Sequence, residues 1–149
     1  ASLRSAETTE TFDISELIEN TVQKYEKNEI ITDIPERVYL DGRRNLIQRC
    51  LNNLIDNSIK YSKNILVSLK KSTNSITIII DDDGPGIPEK ERENVFKPFY
   101  KIDKSRGDSK SSVGLGLSIA SDIIRSHGGN IKLENSSKNG LRAKIFLPF

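Results

Sequence analysis

Ile14, Leu17, Ile18, Thr21, Val22 and Tyr25 recur at helical spacing. Asp13 just ahead of them, with Glu16 three positions on, has the form of an N-cap, so the pattern predicts a helix running to about Glu26. The stretch before it, residues 1–11, is polar and rich in Thr and Glu, and reads as a linker or the end of a preceding element. Residues 30–34 read as a short strand stopped by Pro35, and residues 38–40 as another extended piece ended by Asp41-Gly42. Ile47, Cys50, Leu51, Leu54, Ile55 and Ile59 form one wide apolar stripe, which predicts a long helix from about Arg43 to Ser62. Two strands follow at 65–70 and 75–80, joined by the turn-rich Lys71-Ser72-Thr73-Asn74 in the manner of a hairpin.

Beyond them, residues 88–94 suit a short helix, with Pro88 at its start and acidic residues in its first turn. Residues 95–100 are aromatic-rich and broken by Pro98. Residues 101–113 are polar and aperiodic, the longest irregular stretch, and form the candidate mobile lid. Gly114-Leu115-Gly116-Leu117 opens a helix to about Ser126 or His127, which Gly128-Gly129 ends. Strands at 131–134 and 141–147 close the chain, separated by a turn-forming segment from Asn135 to Gly140. Five or so strands, often consecutive, with three long helices predict a two-layer α/β sandwich. Its mixed, mostly antiparallel sheet is covered on one face by about three helices.

Composition narrows this picture. The 149 residues suit one domain with one core, and 35% hydrophobic with 30% charged residues places the chain among soluble globular proteins. A formal net charge of +2 is too weak to point to nucleic acid. One cysteine, Cys50, excludes a disulfide framework and a zinc cluster and fits a reducing compartment. No apolar run approaches the ~18 residues of a membrane span, and the N-terminus lacks the apolar centre of a signal peptide. The chain has no methionine, so it is expected to be a piece of a longer protein.

The candidate chemistry starts at Asp81-Asp82-Asp83-Gly84-Pro85-Gly86-Ile87-Pro88. Three carboxylates repel one another, and glycines two apart let a ligand approach the main chain closely. This segment is read as the base-recognition wall of a nucleotide site. Adenine offers an exocyclic amino donor, for which a buried ionised carboxylate is the matching acceptor, and Asp82 at the strand end is the choice. A calcium loop would need alternating Asp/Asn and a closing Glu between helices, and Pro85, Pro88 and the preceding strand interrupt that pattern. On the long helix, Asn53, Asn57, Lys60 and Tyr61 fall within an arc of about 100° beside the apolar stripe. Asn is a poor helix-interior residue. A polar helix edge explains any one of them, while Asn57 can offer a carbonyl oxygen to Mg²⁺ beside phosphate oxygens. Gly114 and Gly116 at a helix start can leave N–H groups facing an anion. The strand that a Rossmann motif needs before its first glycine is missing, as are the Walker and protein-kinase motifs. Lys101, Lys104, Arg106 and Lys110 can reach phosphates or simply be a solvated basic loop.

In this order and spacing the segments resemble the catalytic, ATP-binding domain of bacterial two-component sensor histidine kinases. Asn53-Leu54-Ile55-Asp56-Asn57-Ser58-Ile59-Lys60-Tyr61-Ser62 resembles the family's N box, and Asp82-Asp83-Gly84-Pro85-Gly86-Ile87 its G1 box. Phe96-Lys97-Pro98-Phe99-Tyr100 resembles the F box, and Gly114-Leu115-Gly116-Leu117 the G2 box. The likeness runs from about Phe12 to Phe149, and four boxes in register make it specific; the pattern is most like the osmosensor-like class. It implies a Bergerat-type sandwich over residues 12–149, with ATP and Mg²⁺ between the long helix and a mobile lid. By position, the resemblance makes Asn57 the Mg²⁺ ligand and Asp82 the adenine-amino acceptor. Asn53, Lys60 and Tyr61 would line the phosphates and base, and Arg106 would reach the γ-phosphate. Asn53, Lys60 and Arg106 are the implied catalytic set. Gly84, Gly86, Ile87, Phe99, Gly114, Leu115, Gly116 and Leu117 complete the implied nucleotide contacts.

The family reaction moves the γ-phosphoryl of ATP to a histidine on a separate helical domain, mostly by positioning and charge stabilisation. No helix here carries such a histidine; the only one, His127, sits at a helix end, where capping or dipole compensation is expected. The implied partners are therefore the histidine-bearing dimerisation domain of the same kinase and a response regulator. Nucleic acid and membrane contact are not expected of this stretch. Taken alone it is expected to be a monomer, and its parent a homodimer with this part on the cytoplasmic side of the inner membrane. Two positions depart from the family pattern. Ser112 and Val113 stand where many members have Gly and then Thr or Ser, which would stiffen the lid and remove a phosphate contact. Those residues keep open a catalytically degenerate regulatory module. Another Bergerat-type ATPase is the remaining alternative: chaperone and mismatch-repair types need further domains, and the aromatic segment and long lid lean away from anti-sigma serine kinases.

Overall fold

The computed structural model describes residues 7–25, 29–100, 116–136 and 139–149. Its centre is a five-stranded sheet. The strands are β2 (Glu29–Asp33), β4 (Asn64–Lys71), β5 (Ser75–Asp82), β6 (Asn130–Asn135) and β7 (Leu141–Pro148), in the order β2-β4-β5-β7-β6. Only β2 and β4 run parallel; the other pairs are antiparallel. A two-stranded antiparallel ribbon, β1 (Glu10–Asp13) with β3 (Tyr39–Gly42), lies apart from it. The expected mixed, mostly antiparallel sheet is thus present, packed against three helices: α1 (Ile14–Val22), α2 (Arg44–Tyr61) and α3 (Gly116–Ser126).

The core follows from the periodicities. On β4 and β7 alternate residues turn inward: Ile65, Val67 and Leu69, and Leu141, Ala143, Ile145 and Leu147 are buried. They meet Ile47, Leu51, Leu54 and Ile55 of α2, Leu17 and Ile18 of α1, and Ile123 and Ile124 of α3. Each fully buried aliphatic side chain stabilises the fold by roughly 1.5–3 kcal/mol. The opposite face of the sheet carries Thr77, Lys132, Lys144 and Phe146 and has no helix over it among the described residues. No described helix is long and apolar enough to cross a membrane.

Several boundaries differ from the sequence-based expectation. α1 ends at Val22, short of Glu26, because Lys24 N and Tyr25 N bond back to Thr21 O and Val22 O in a tightening turn; Glu26 lies outside the described residues. Glu10 and Thr11, expected to be linker, pair with Gly42 and Asp41. β5 continues through Asp81 and Asp82, two residues past its expected end, because both still pair with β4, opposite Leu66 and Ile65. Residues 88–94 form no single helix. Two 3₁₀ turns, Glu89–Glu91 and Asn94–Phe96, take their place; neither has a side-chain N-cap, and Pro98 bars a helix from continuing past Lys97.

The N-terminus of α2 is capped from elsewhere. The Arg43 side chain offers no acceptor there. The Glu7 carboxylate accepts from Asn45 N at 2.9 Å and Leu46 N at 3.1 Å, which draws the residues before β1 onto the domain. His127 Nε2 accepts from Arg43 N at 3.0 Å, so Nδ1 carries the proton and donates to Ile123 O at 2.8 Å. His127 thus serves the end of its own helix, as expected, and the start of the neighbouring one as well.

Candidate functional site

Three aspartates in a row meet three environments. Asp81, pointing to the open face of the sheet, is buried and its Oδ1 accepts from Arg142 Nε at 2.7 Å. That contact holds the Arg142 guanidinium above its ordinary range. Asp83 accepts from the Asn64 side-chain amide at 2.7 Å and from Asn64 N and Lys63 N, which joins the end of α2 to the start of β4. The Asn64 amide, with those backbone groups, holds the Asp83 carboxyl below the usual carboxylate range. Asp82 lies between them, only 4% exposed. Its Oδ1 accepts from Gly84 N and Leu141 N, both at 3.0 Å, and among the described residues Oδ2 accepts no hydrogen bond. The result is a carboxylate oriented by two N–H groups through one oxygen and left with the other to offer.

Main chain packs directly on main chain around Asp82. A Cβ on Gly140 would lie 2.2 Å from Asp82 O, and one on Gly84 would lie 2.7 Å from Tyr61 O. The second contact seats the Asp82–Ile87 segment against the last residue of α2. Gly86 is left-handed at φ 73°, and Ile87 is half-buried against the core.

α2, whose last residue meets Gly84, also carries the Asn residues singled out in the sequence. Asn53 and Asn57, one turn apart, are half-buried; Lys60 is exposed and Tyr61 is 51% exposed. Asn53 Nδ2 is the one buried side-chain nitrogen without a partner among the described residues. Such a donor costs about 1–3 kcal/mol unless a ligand or water takes it. Asn52 is different: its Oδ1 accepts from Tyr25 O–H at 3.1 Å, and Asp56 Oδ1 shares that donor at 2.9 Å. Desolvation first, and the Asp56 carboxylate second, push the Tyr25 hydroxyl above its ordinary pKa. Asn52 and Asp56 therefore tie the turn that follows α1 to α2.

Phe99 stands 65% exposed at φ 65°, a left-handed backbone that costs an aromatic residue strain. Beside it Tyr100 donates to Glu91. Gly116 is the first residue of α3, and Leu117 packs half-buried on the core. Arg106, Gly114, Leu115, Lys101, Lys104, Lys110, Ser112 and Val113 lie outside the described residues. Among the described residues no group of three His, Cys, Asp or Glu is placed to hold a metal. Asn57, one turn from Asn53 on α2, carries an amide oxygen of the kind that hard divalent ions take.

Sequence reasoning missed Leu141 N, Gly140, Arg92 and Asn135. The first two contact Asp82, and the Arg92 guanidinium spans from Ile87 O, at 3.1 Å, to Asn135 Oδ1, at 2.6 Å. The Asn139-Gly140 pair signalled a turn, but no local pattern tells where a turn will dock.

Residues 42–149 match the profile of the family described as histidine kinase-, DNA gyrase B-, and HSP90-like ATPase. The sensor histidine kinase GtrS of Pseudomonas aeruginosa is 33% identical over 145 residues, covering 88% of this chain and 30% of the relative. The sensor histidine kinase CpxA of Escherichia coli K12 is 40% identical over 110 residues, covering 73% of this chain and 24% of the relative. The chain thus spans less than a third of the length of these relatives. Among solved structures, the catalytic domain of histidine kinase ThkA shares the fold at a TM-score of 0.83 and 26% identity, over 95% of this chain and 97% of that one.

Proposed function

The chain belongs to the family of histidine kinase-, DNA gyrase B- and HSP90-like ATPases, and from that premise we propose that it binds Mg·ATP and donates the γ-phosphoryl to a histidine on a separate dimerisation domain of a two-component sensor kinase. The catalytic unit is residues 12–149 together with Glu10 and Thr11, which pair in β1, and Glu7, which caps α2. The observation that carries this reading is Asp82: buried, oriented through Oδ1 by two backbone N–H groups, with Oδ2 accepting from none of the described residues. An acceptor so placed suits the 6-amino group of adenine.

The remaining roles follow from chemistry and position. Asn53 Nδ2, the orphaned donor, suits a phosphate oxygen or a metal-bound water. Asn57 supplies the amide oxygen that would hold Mg²⁺; when bound, that ion neutralises phosphate charge. Lys60 adds an ammonium to the phosphates, and Tyr61 and Phe99 border the base and ribose. Gly84, Gly86 and Ile87 form the wall beside the ring. Arg106 is assigned to the γ-phosphate and Gly114 and Leu115 to the phosphates, while Gly116 and Leu117 open α3 toward the anion. In the transfer the bond from phosphorus to the ADP oxygen breaks, a bond to the imidazole nitrogen forms, and the imidazole gives up its proton. The partners are the histidine-bearing helices and a response regulator. The unit works on the cytoplasmic side of the membrane, within a parent homodimer.

Calorimetric titration of ATP against the wild-type chain, Asp82→Asn and Asn57→Asp, with and without Mg²⁺, tests the reading. Asp82→Asn removes the acceptor's charge and can set a donor against a donor, which weakens ATP roughly 10- to 100-fold. Asn57→Asp changes chiefly the Mg²⁺-dependent part of binding. Unaltered ATP affinity in Asp82→Asn overturns the base contact. Ser112 and Val113 support a second reading, an ATP-binding regulatory module that transfers nothing.

A further inference from the structure

We propose that Arg92 is a positioning residue for the adenine wall, acting together with Asn135; this rests on the nucleotide reading above. Arg92 is half-buried just beyond the Asp82–Ile87 segment. A guanidinium usually seeks a carboxylate, yet here Nε donates to the Ile87 carbonyl and Nη2 to the Asn135 amide oxygen, both neutral acceptors. Among the described residues it makes no ion pair.

These two bonds close a ring. Asn135 is the last residue of β6 and stands opposite Leu141, the first residue of β7. Leu141 N donates to Asp82 Oδ1. The chain then runs from Asp82 through Gly84 and Gly86 to Ile87, whose carbonyl returns to Arg92. The ring therefore holds both things the base would meet, the Asp82 carboxylate and the backbone at 84–87.

The segment needs such a brace. Gly84 and Gly86 let main chain pack on main chain, but two glycines in so short a span leave the backbone with more freedom to lose than any other pair of residues. Without Arg92, the hydrogen bonds along residues 84–87 reduce to the Gly84 N–Asp82 turn, beside the packing of Ile87 on the core, of Gly84 on Tyr61 O and of Gly86 on Gly140 O. The planar guanidinium spans two acceptors at once with little loss of freedom per bond, which a shorter single-ended amide cannot do.

The test titrates ATP and inosine triphosphate, which lacks the 6-amino group, against wild type, Arg92→Gln, Asn135→Ala and the double variant, with melting curves alongside. Either single change weakens ATP about tenfold, the worth of a bond to a charged group. Inosine triphosphate, which does not use the Asp82 oxygen in this way, weakens less, so the preference for ATP narrows. The double variant is no worse than Arg92→Gln alone, because both changes cut one brace. ATP affinity within about twofold of wild type in both single variants, or equal weakening of the two nucleotides, overturns the proposal. Should Arg92→Gln fail to fold, Asn135→Ala decides, since Asn135 is exposed at a strand end. Failure of the wild-type chain to bind ATP overturns the nucleotide reading and this proposal with it; wild-type binding with indifferent variants overturns this proposal alone.

Discussion

Asp83 is exposed, yet the Asn64 side-chain amide and the backbone N–H groups of Asn64 and Lys63 converge on it. They favour the charged carboxylate and lower its pKa below the ordinary value of 3.8. The unfolded chain then binds more protons than the folded one in the interval between the two values. The stability from this group is present above the ordinary value and is lost as pH falls through the lowered one. Asp83→Asn cannot ionise. The melting temperature of wild type should exceed that of Asp83→Asn at neutral pH, and the gap should narrow as melts are carried to pH values below the ordinary carboxylate range. A gap independent of pH would show that the contact acts through geometry alone. Asp82, its neighbour, could be singled out in the sequence because it ends an apolar strand and precedes Gly84. What Asp81 and Asp83 do could not be singled out, since Arg142 is 61 residues away and Asn64 is 19.

At the scale of the element, α2 carries the candidate site on one face and the core on the other. Its apolar stripe repeats locally, which is why its span was legible to within a residue at each end. Its capping was not. The carboxylate of Glu7 is 38 residues from Asn45, and His127 is 84 residues from Arg43. Both serve a helix whose own first turn contains no acidic residue. Glu7→Ala leaves two N–H groups without a protein acceptor and removes a negative charge from the positive end of the helix dipole. Loss of such a cap costs about 1 kcal/mol, and thermal melts should show a fall of about 2–5 °C for a chain of this size. An unchanged melting temperature would mean that water replaces Glu7 at no cost. The short helix expected at 88–94 failed for a related reason: acidic residues and a leading proline mark a helix start but not whether the turn can propagate.

At the scale of the whole molecule, one layer of helices covers one face of the sheet, and the loops at the end of β5, the end of α2 and the β6–β7 turn meet around Asp82. The chain has one histidine, and both of its ring nitrogens are engaged: Nε2 accepts from Arg43 N at the start of α2, and Nδ1 bonds Ile123 O in the last turn of α3. It therefore has no free imidazole to accept a phosphoryl group. Incubated alone with γ-labelled ATP, it should remain unlabelled. Addition of the parent's histidine-bearing helical dimer should transfer label to that partner, in an acid-labile, alkali-stable form. ATP binding without transfer under these conditions would favour the regulatory module.

The sequence by itself determined the longer helices and the strands of the main sheet, and the identities of the chemical groups, because periods of two and 3.6, capping residues and turn residues act over a few positions of chain; it did not show β1 or the 3₁₀ turns after Pro88. It also determined the four boxes and their order, and from these the family resemblance. Tertiary structure decided which groups meet. It sent Asn52 to Tyr25 and left Asn53 Nδ2 without a partner among the described residues, it gave each aspartate its partner, and it placed Gly140, Leu141, Asn135 and Arg92 around the wall. Those contacts join strands and turns tens of residues apart. Hydrogen-bond partners at such separations depend on sheet order and register, which no local pattern contains.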